Sequence, residues 1–166
     1  LLFVGIVLIS NGISFLTKAD GKSIAFLNVI VGFIIVIGNL ITLGHAIVTG
    51  GDAMTYNNIA AGLLFGITYL FIAGNFLFKL DLRNFGLYCA GASVFAVIMS
   101  IVSFIGGSWP FGVLWAAWFV LWFSGTVQFN FKAKFMEKAF PYIAIIEGLF
   151  AALLPAVLLL MGWWVL

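Results

Sequence analysis

Polar and turn-forming residues fall in five short clusters along the chain, and the stretches between them are almost uninterruptedly apolar. The clusters are 18–22 (KADGK), 50–57 (GGDAMTYN), 79–85 (KLDLRNF), 105–110 (IGGSWP) and 132–138 (KAKFMEK). They hold 33 of the 166 residues, which leaves 133 for six segments of about 22 each. An α-helix needs roughly 20 residues to cross hydrocarbon. The pattern predicts an all-α polytopic membrane protein with six transmembrane helices, a single domain over 1–166, the first and fourth spans short and the second and sixth long. Strands of a transmembrane barrel would alternate apolar and polar positions, and these runs do not. The opening LLFVGIVLISNGISFLT lacks a basic flank and a cleavage site followed by a polar domain, so it is expected to be a span and not a signal peptide.

Composition supports lipid as the solvent. Hydrophobic residues make up 65% and charged residues 7%, against roughly 25% charged in a soluble domain. A net charge of +2, scattered along the chain, excludes the clustered basic face of a nucleic-acid-binding protein. The single cysteine, Cys89, excludes a disulfide framework. All seven basic residues lie in the first, third and fifth clusters. By the positive-inside rule these odd loops (18–22, 79–85, 132–138) are expected to be cytoplasmic, with both termini outside. Trp109, Trp163 and Trp164 then sit at the outer interface, where indoles anchor helices.

Glu147, in IAIIEGLFAALLP, is the one charged residue placed within a span. An intramembrane carboxyl faces a polar cavity or a partner, and no basic residue lies at its depth. It is therefore either protonated or held by amides and water, as a functional group or as a tie between helices. In the fifth span Trp115, Trp118 and Trp122 share one helix face, a stripe that suits a pore wall or a packing seam. Leu1, Val4, Leu8 and Asn11 repeat the seam on the first span. The other polar residues of the spans are neutral: Asn28, Asn39, Thr42, Thr68, Tyr69, Asn75, Ser93, Ser100 and Gln128. A path lined by aromatic and neutral hydrogen-bonding groups suits a small uncharged polar solute and not an ion, which needs rings of carbonyls or charges. Gly5 with Gly12, and Gly62 with Gly66, offer small faces for close helix packing. His45 is the one histidine, near the outer end of the second span, Cys89 is a small core residue, and Pro155 is expected to kink the last helix and release a carbonyl that neighbours satisfy.

Four segments, VGIVLISNGISFLTKADGKS, GLLFGITYLF, LWAAWFVLW and IAIIEGLFAALLPA, occur in order along the chain and resemble the UreI/AmiS family of urea and short-chain amide channels. The resemblance implies a two-helix hairpin repeated three times around a central protomer pore, and a hexamer of protomers in the bacterial cytoplasmic membrane. It also implies a pore path through Leu1, Val4, Leu8, Asn11, Phe65, Thr68, Tyr69, Trp115, Trp118, Leu121, Trp122 and Glu147. No cofactor and no metal are implied. Urea or short-chain amides are the implied solutes, consumed by a cytoplasmic urease or amidase.

Acid-activated members of the family carry a longer outer loop with several histidines. The GGDAMTYN and IGGSWP segments are short and contain none, so a passive pore without acid gating is expected. Acid activation is the alternative, followed by a proton-coupled small-solute transporter using Glu147. An enzyme is the weakest reading, because the spans hold one Glu and one His on different helices and no catalytic constellation.

Overall fold

The computed structural model describes residues 1–164. Among them the regular elements are all helical: α1 (Leu2–Thr17), α2 (Gly21–Thr49), α3 (Ala53–Phe78), α4 (Leu82–Ile105), α5 (Trp109–Phe131), α6 (Lys134–Glu147), a π-helical segment (Gly148–Leu153) and α7 (Leu154–Leu160). The last three are continuous, and as one helix over Lys134–Leu160 they join α2 to α5 as five helices long and apolar enough to cross a membrane. The first helix, at 16 residues, is shorter. The fourth span is longer than expected, at 24 residues.

The connections are shorter than the polar clusters suggested, because the polar residues start helices. Asp20 accepts from the Ser23 N–H at 3.0 Å, Asp52 from Thr55 at 2.8 Å and Asp81 from Arg83 at 2.9 Å. These carboxylates satisfy N–H groups that a helix start leaves without partners. Each helix therefore begins within the predicted loop, α3 at Ala53 and α4 at Leu82. Pro110 occupies the first turn of α5, where its missing N–H is harmless. Lys134, Glu137 and Lys138 lie in α6 and not in a loop.

At the basic ends of α1, α3 and α5 the chain turns through a lysine in left-handed conformation, Lys18, Lys79 and Lys132, with φ of 54°, 53° and 51°. Glycine or asparagine usually takes this position. A lysine places its ammonium beside the carbonyl end of the helix dipole, which favours positive charge.

Two compact units follow. One comprises Asp20–Leu80, that is α2 and α3. Its helices meet backbone to backbone: a Cβ added to Gly32 would lie 3.1 Å from the Gly66 carbonyl, and one on Gly66 3.3 Å from that of Gly32. Asn39 rests on Gly62, and the Tyr56 hydroxyl donates to the Ala46 carbonyl at 3.4 Å.

The other unit comprises Leu1–Ala19 and Asp81–Leu166. In it α4 and α5 form a hairpin fastened at both ends, Ser100 Oγ donating to the Gly112 carbonyl at 2.8 Å and Thr126 Oγ1 to that of Gly86 at 3.3 Å. Helix α1 packs along α6 and the π segment, so the third helix pair joins the two ends of the chain. Glycines set the spacing. A Cβ on Gly5 would meet the Leu153 nitrogen at 2.6 Å, one on Gly12 the Pro141 carbonyl at 2.5 Å, and one on Gly148 the Ile9 nitrogen at 3.0 Å. Large apolar side chains such as Phe26, Ile41, Val48 and Ile105 point outward, as a lipid solvent requires.

Candidate functional site

The indole stripe of α5 faces inward. Trp115, Trp118 and Trp122 are buried with Leu121 on the same helix, since offsets of three and seven residues return to nearly one face. Trp115 and Trp118 meet edge to face with centroids 4.8 Å apart, and Phe95 of α4 stacks its edge on Trp115 at 5.5 Å. This is the favoured geometry of aromatic quadrupoles, and it holds ring faces in fixed orientation.

Glu147 ends α6. It is buried at 7% exposure, and its Oε2 has no hydrogen-bond partner among the described residues. The π segment starts directly beyond it, and Gly148 lies under α1 at Leu8 and Ile9. The structure thereby brings Leu8 beside the segment that follows the carboxyl. Val4, Leu8 and Asn11 are buried on α1, whereas Leu1, at 36%, is exposed. Phe65, Thr68 and Tyr69 are buried within the α2–α3 unit, Thr68 Oγ1 donating to the Leu64 carbonyl at 2.8 Å.

Most neutral polar residues of the spans bond their own helix. Asn28 donates to the Ile24 carbonyl, Asn39 to Ile35, Thr42 to Gly38 and Ser93 to Cys89. Such i−4 bonds satisfy the side chain without any ligand. The buried oxygens of Asn75, Gln128 and Asn130 lack a partner among the described residues. Sequence reasoning passed over Ser124 and Thr126, visible in FSGTVQ, and Pro141, which lies inside α6. Cys89 is buried as expected, its Sγ 3.1 Å from where a Cβ on Gly125 would sit. His45 is exposed on α2.

The loop carboxylates are ordinary helix caps with strong partners. The Arg83 guanidinium and N–H hold the Asp81 carboxyl down to about 2, with Lys132 adding to the field. Hydrogen bonds from the Thr55 hydroxyl and N–H lower that of Asp52. Both groups are charged at every physiological pH.

The chain as a whole has relatives among membrane transport proteins. The chain is 36% identical to the acid-activated urea channel of Helicobacter pylori, with 99% of this chain and 97% of that protein covered. It is 30% identical to a Mycolicibacterium smegmatis protein named as a transporter of amidate substrates, covering 99% of this chain and 76% of that one. The crystal structure of the H. pylori urea channel superposes with a TM-score of 0.87 at 37% identity, covering 99% of this chain and 97% of that chain. Residues 1–163 match the AmiS/UreI family transporter throughout, and the chain belongs to that family of multi-pass membrane proteins.

Proposed function

We infer that the protein is a passive channel for urea, short-chain aliphatic amides or both, open without acid activation, and not an enzyme. The observation that carries the reading is the buried aromatic stripe Trp115–Trp118–Trp122 in a unit whose one buried charged residue, among the described residues, is Glu147. Aromatic walls cannot repay the dehydration of an ion, whereas a flat neutral solute slides between ring faces and exchanges hydrogen bonds at its edges. Leu1, Val4, Leu8, Asn11, Phe65, Thr68, Tyr69, Trp115, Trp118, Leu121, Trp122 and Glu147 are assigned to the solute path. All 166 residues serve one channel domain, assembled as a hexamer in the bacterial cytoplasmic membrane with 18–22, 79–85 and 132–138 on the cytoplasmic side, where a urease or amidase consumes the solute.

Absence of acid gating is supported by the far-end connections. Gly50–Asp52 and Gly106–Ser108 are three residues each and contain no histidine. The alignment with the acid-activated channel runs over 192 positions against 166 residues here. At least 26 positions of that relative therefore have no counterpart in this chain, whereas the alignment with the M. smegmatis protein runs over 165.

Stopped-flow light scattering on proteoliposomes tests the reading. Urea or acetamide equilibrates faster than in empty vesicles, at similar rates at pH 5 and 7.5, and Trp122→Ala or Glu147→Gln changes the rate. Equal rates in loaded and empty vesicles reject the channel, and a rate that rises steeply at pH 5 rejects constitutive opening. The partnerless Glu147 oxygen keeps one second reading, proton-coupled transport. Uptake that follows an imposed pH gradient would select it.

A further inference from the structure

Helix six changes pitch immediately beyond Glu147. It runs as a π-helix over Gly148–Leu153, and the Leu154 N–H donates to the Leu149 carbonyl five residues back. From Leu154 the chain returns to α geometry, where each N–H reaches four residues back. The residue at the crossover is Pro155, which has no N–H. The carbonyls of Phe150, Ala151 and Ala152 therefore have a single main-chain donor within reach, the Ala156 N–H. Residue 154 is engaged with Leu149, residue 155 offers nothing, and residue 157 serves Leu153. At least two of the three carbonyls are passed over.

Phe150 turns its side chain outward at 60% exposure, whereas Ala151 and Ala152 lie on the protein-facing side of the helix. Ala151, Ala152, Pro155 and Ala156 are buried, as are Glu147 and Gly148 before them. Carbonyls freed by a proline at membrane depth are re-satisfied by neighbouring helices, by Ser or Thr hydroxyls, by ordered water or by a local π adjustment, and the π turn here still leaves two of these carbonyls over. No Ser or Thr occurs between Lys134 and Leu160. One helical turn back, the Glu147 Oε2 is likewise buried without a donor. Acceptors of two kinds thus follow one another along a single helix, and a ligand that satisfies them brings N–H donors and no charge.

We propose that the carbonyls released at Pro155 form a second binding station for the transported solute, one turn beyond Glu147, which accepts hydrogen bonds from the amino groups of urea or a primary amide. The proposal rests on the channel reading above. Successive acceptors along one helix allow a solute to exchange one hydrogen bond at a time, so that neither site becomes a trap.

Pro155→Ala supplies the missing N–H and lets the helix close on its own carbonyl. The readout is the ratio of urea permeability above that of empty vesicles to the amount of monodisperse, folded protein recovered in the proteoliposomes, so that a loss of folded protein does not count as a loss of transport. The expected fall is about fivefold, the weight of one hydrogen bond; an unchanged ratio overturns the station. A second measurement uses the unaltered chain. With [1-13C]alanine in the protein and 15N-urea in the bilayer sample, solid-state NMR should show an alanine carbonyl dephased by urea. That signal should vanish in Ala151→Gly or Ala152→Gly, which keep the carbonyl and drop the label. No dephased alanine carbonyl means that water alone fills the site and overturns the proposal. Wild-type vesicles that take up urea and acetamide no faster than empty ones reject the channel reading instead, so the two failures are distinct.

Discussion

Replacing Gly5 by alanine tests the seam between helix α1 and the π segment. The new methyl carbon would sit 2.6 Å from the Leu153 nitrogen, 2.7 Å from the Leu153 Cβ and 2.8 Å from the Gly148 carbonyl oxygen. Two of these are main-chain atoms and none is the end of a flexible side chain, so α1 must move away from the π segment bodily. Overpacking of this kind costs roughly 1–3 kcal/mol, and a chain of this length loses roughly 2–4 °C of melting temperature per kcal/mol. The expected drop is roughly 2–12 °C. Cys89, the one cysteine and buried, supplies the assay: a thiol-reactive dye reports its exposure as the detergent-solubilised protein unfolds. Gly91, inside α4, is the control, because an alanine there meets nothing within 4 Å, and Gly91→Ala should be no less stable than wild type and gain up to about 1 kcal/mol from helix propensity. Gly148→Ala attacks the same seam from the other side, at the Leu8 Cβ and the Ile9 nitrogen. One displacement of α1 relieves both clashes, so the double variant should lose less than the two single losses together. A Gly5→Ala protein that melts with Gly91→Ala would refute the backbone interlock.

Two further predictions concern the polar fastenings. Ser100→Ala removes the bond to the Gly112 carbonyl that closes the α4–α5 hairpin at its turn; about 1 kcal/mol of stability should be lost in the same dye assay, and no loss would mean the hairpin is held by packing alone. Asp81 has a folded-state pKa of about 2, below the ordinary 3.8, so its contribution is complete above the ordinary value and disappears as pH falls from about 4 to 2. The melting difference between wild type and Asp81→Asn should therefore be constant from pH 7.5 to 5 and vanish toward pH 2; a difference that already shrinks at pH 5 contradicts the assigned partners.

The number and order of the spans were legible because lipid demands long apolar runs, and 18–22, 50–57, 79–85, 105–110 and 132–138 interrupt them visibly. The ends were misplaced by several residues because Asp20, Asp52 and Asp81 mark a loop by composition and a helix start by position. The spacing of Asp20 to Ser23 and of Asp52 to Thr55 carries the second meaning. The indole stripe of α5 and the lone carboxyl at Glu147 stood out for physical reasons, helical period in one case and the cost of intramembrane charge in the other. The π segment did not, since widening a turn leaves GLFAAL as apolar as before. Pro155 announced that a donor is missing but not how the helix absorbs the loss. The seam between α1 and the π segment was also hidden: Gly5 and Gly148 are far apart in sequence, and a small residue becomes informative only when its neighbour is known.

The far-end turns disclose an internal repeat that gives these departures meaning. Gly50, Gly106 and Gly162 recur at intervals of 56 residues, and a left-handed glycine marks each place, at Gly50, Gly107 and Gly162. Helices α2, α4 and α6 with its continuation precede the three turns, each entered from a left-handed lysine. Under this offset Glu147 corresponds to Gly91 and Ile35, and Pro155 to Met99 and Leu43. The first two copies are thus uninterrupted apolar α-helices opened by an aspartate cap. The third lacks the cap, which Ala133 replaces, and contains the carboxyl, the proline and the π turn together. A scaffold repeated three times can hold its shape with two regular copies, and polar or strained features that persist in the third against local preference mark where stability is traded for chemistry. The three departures coincide on one helix, and with the aromatic stripe of α5 they give this unit two surfaces of opposite chemical character: apolar faces on one helix, hydrogen-bond acceptors on the other.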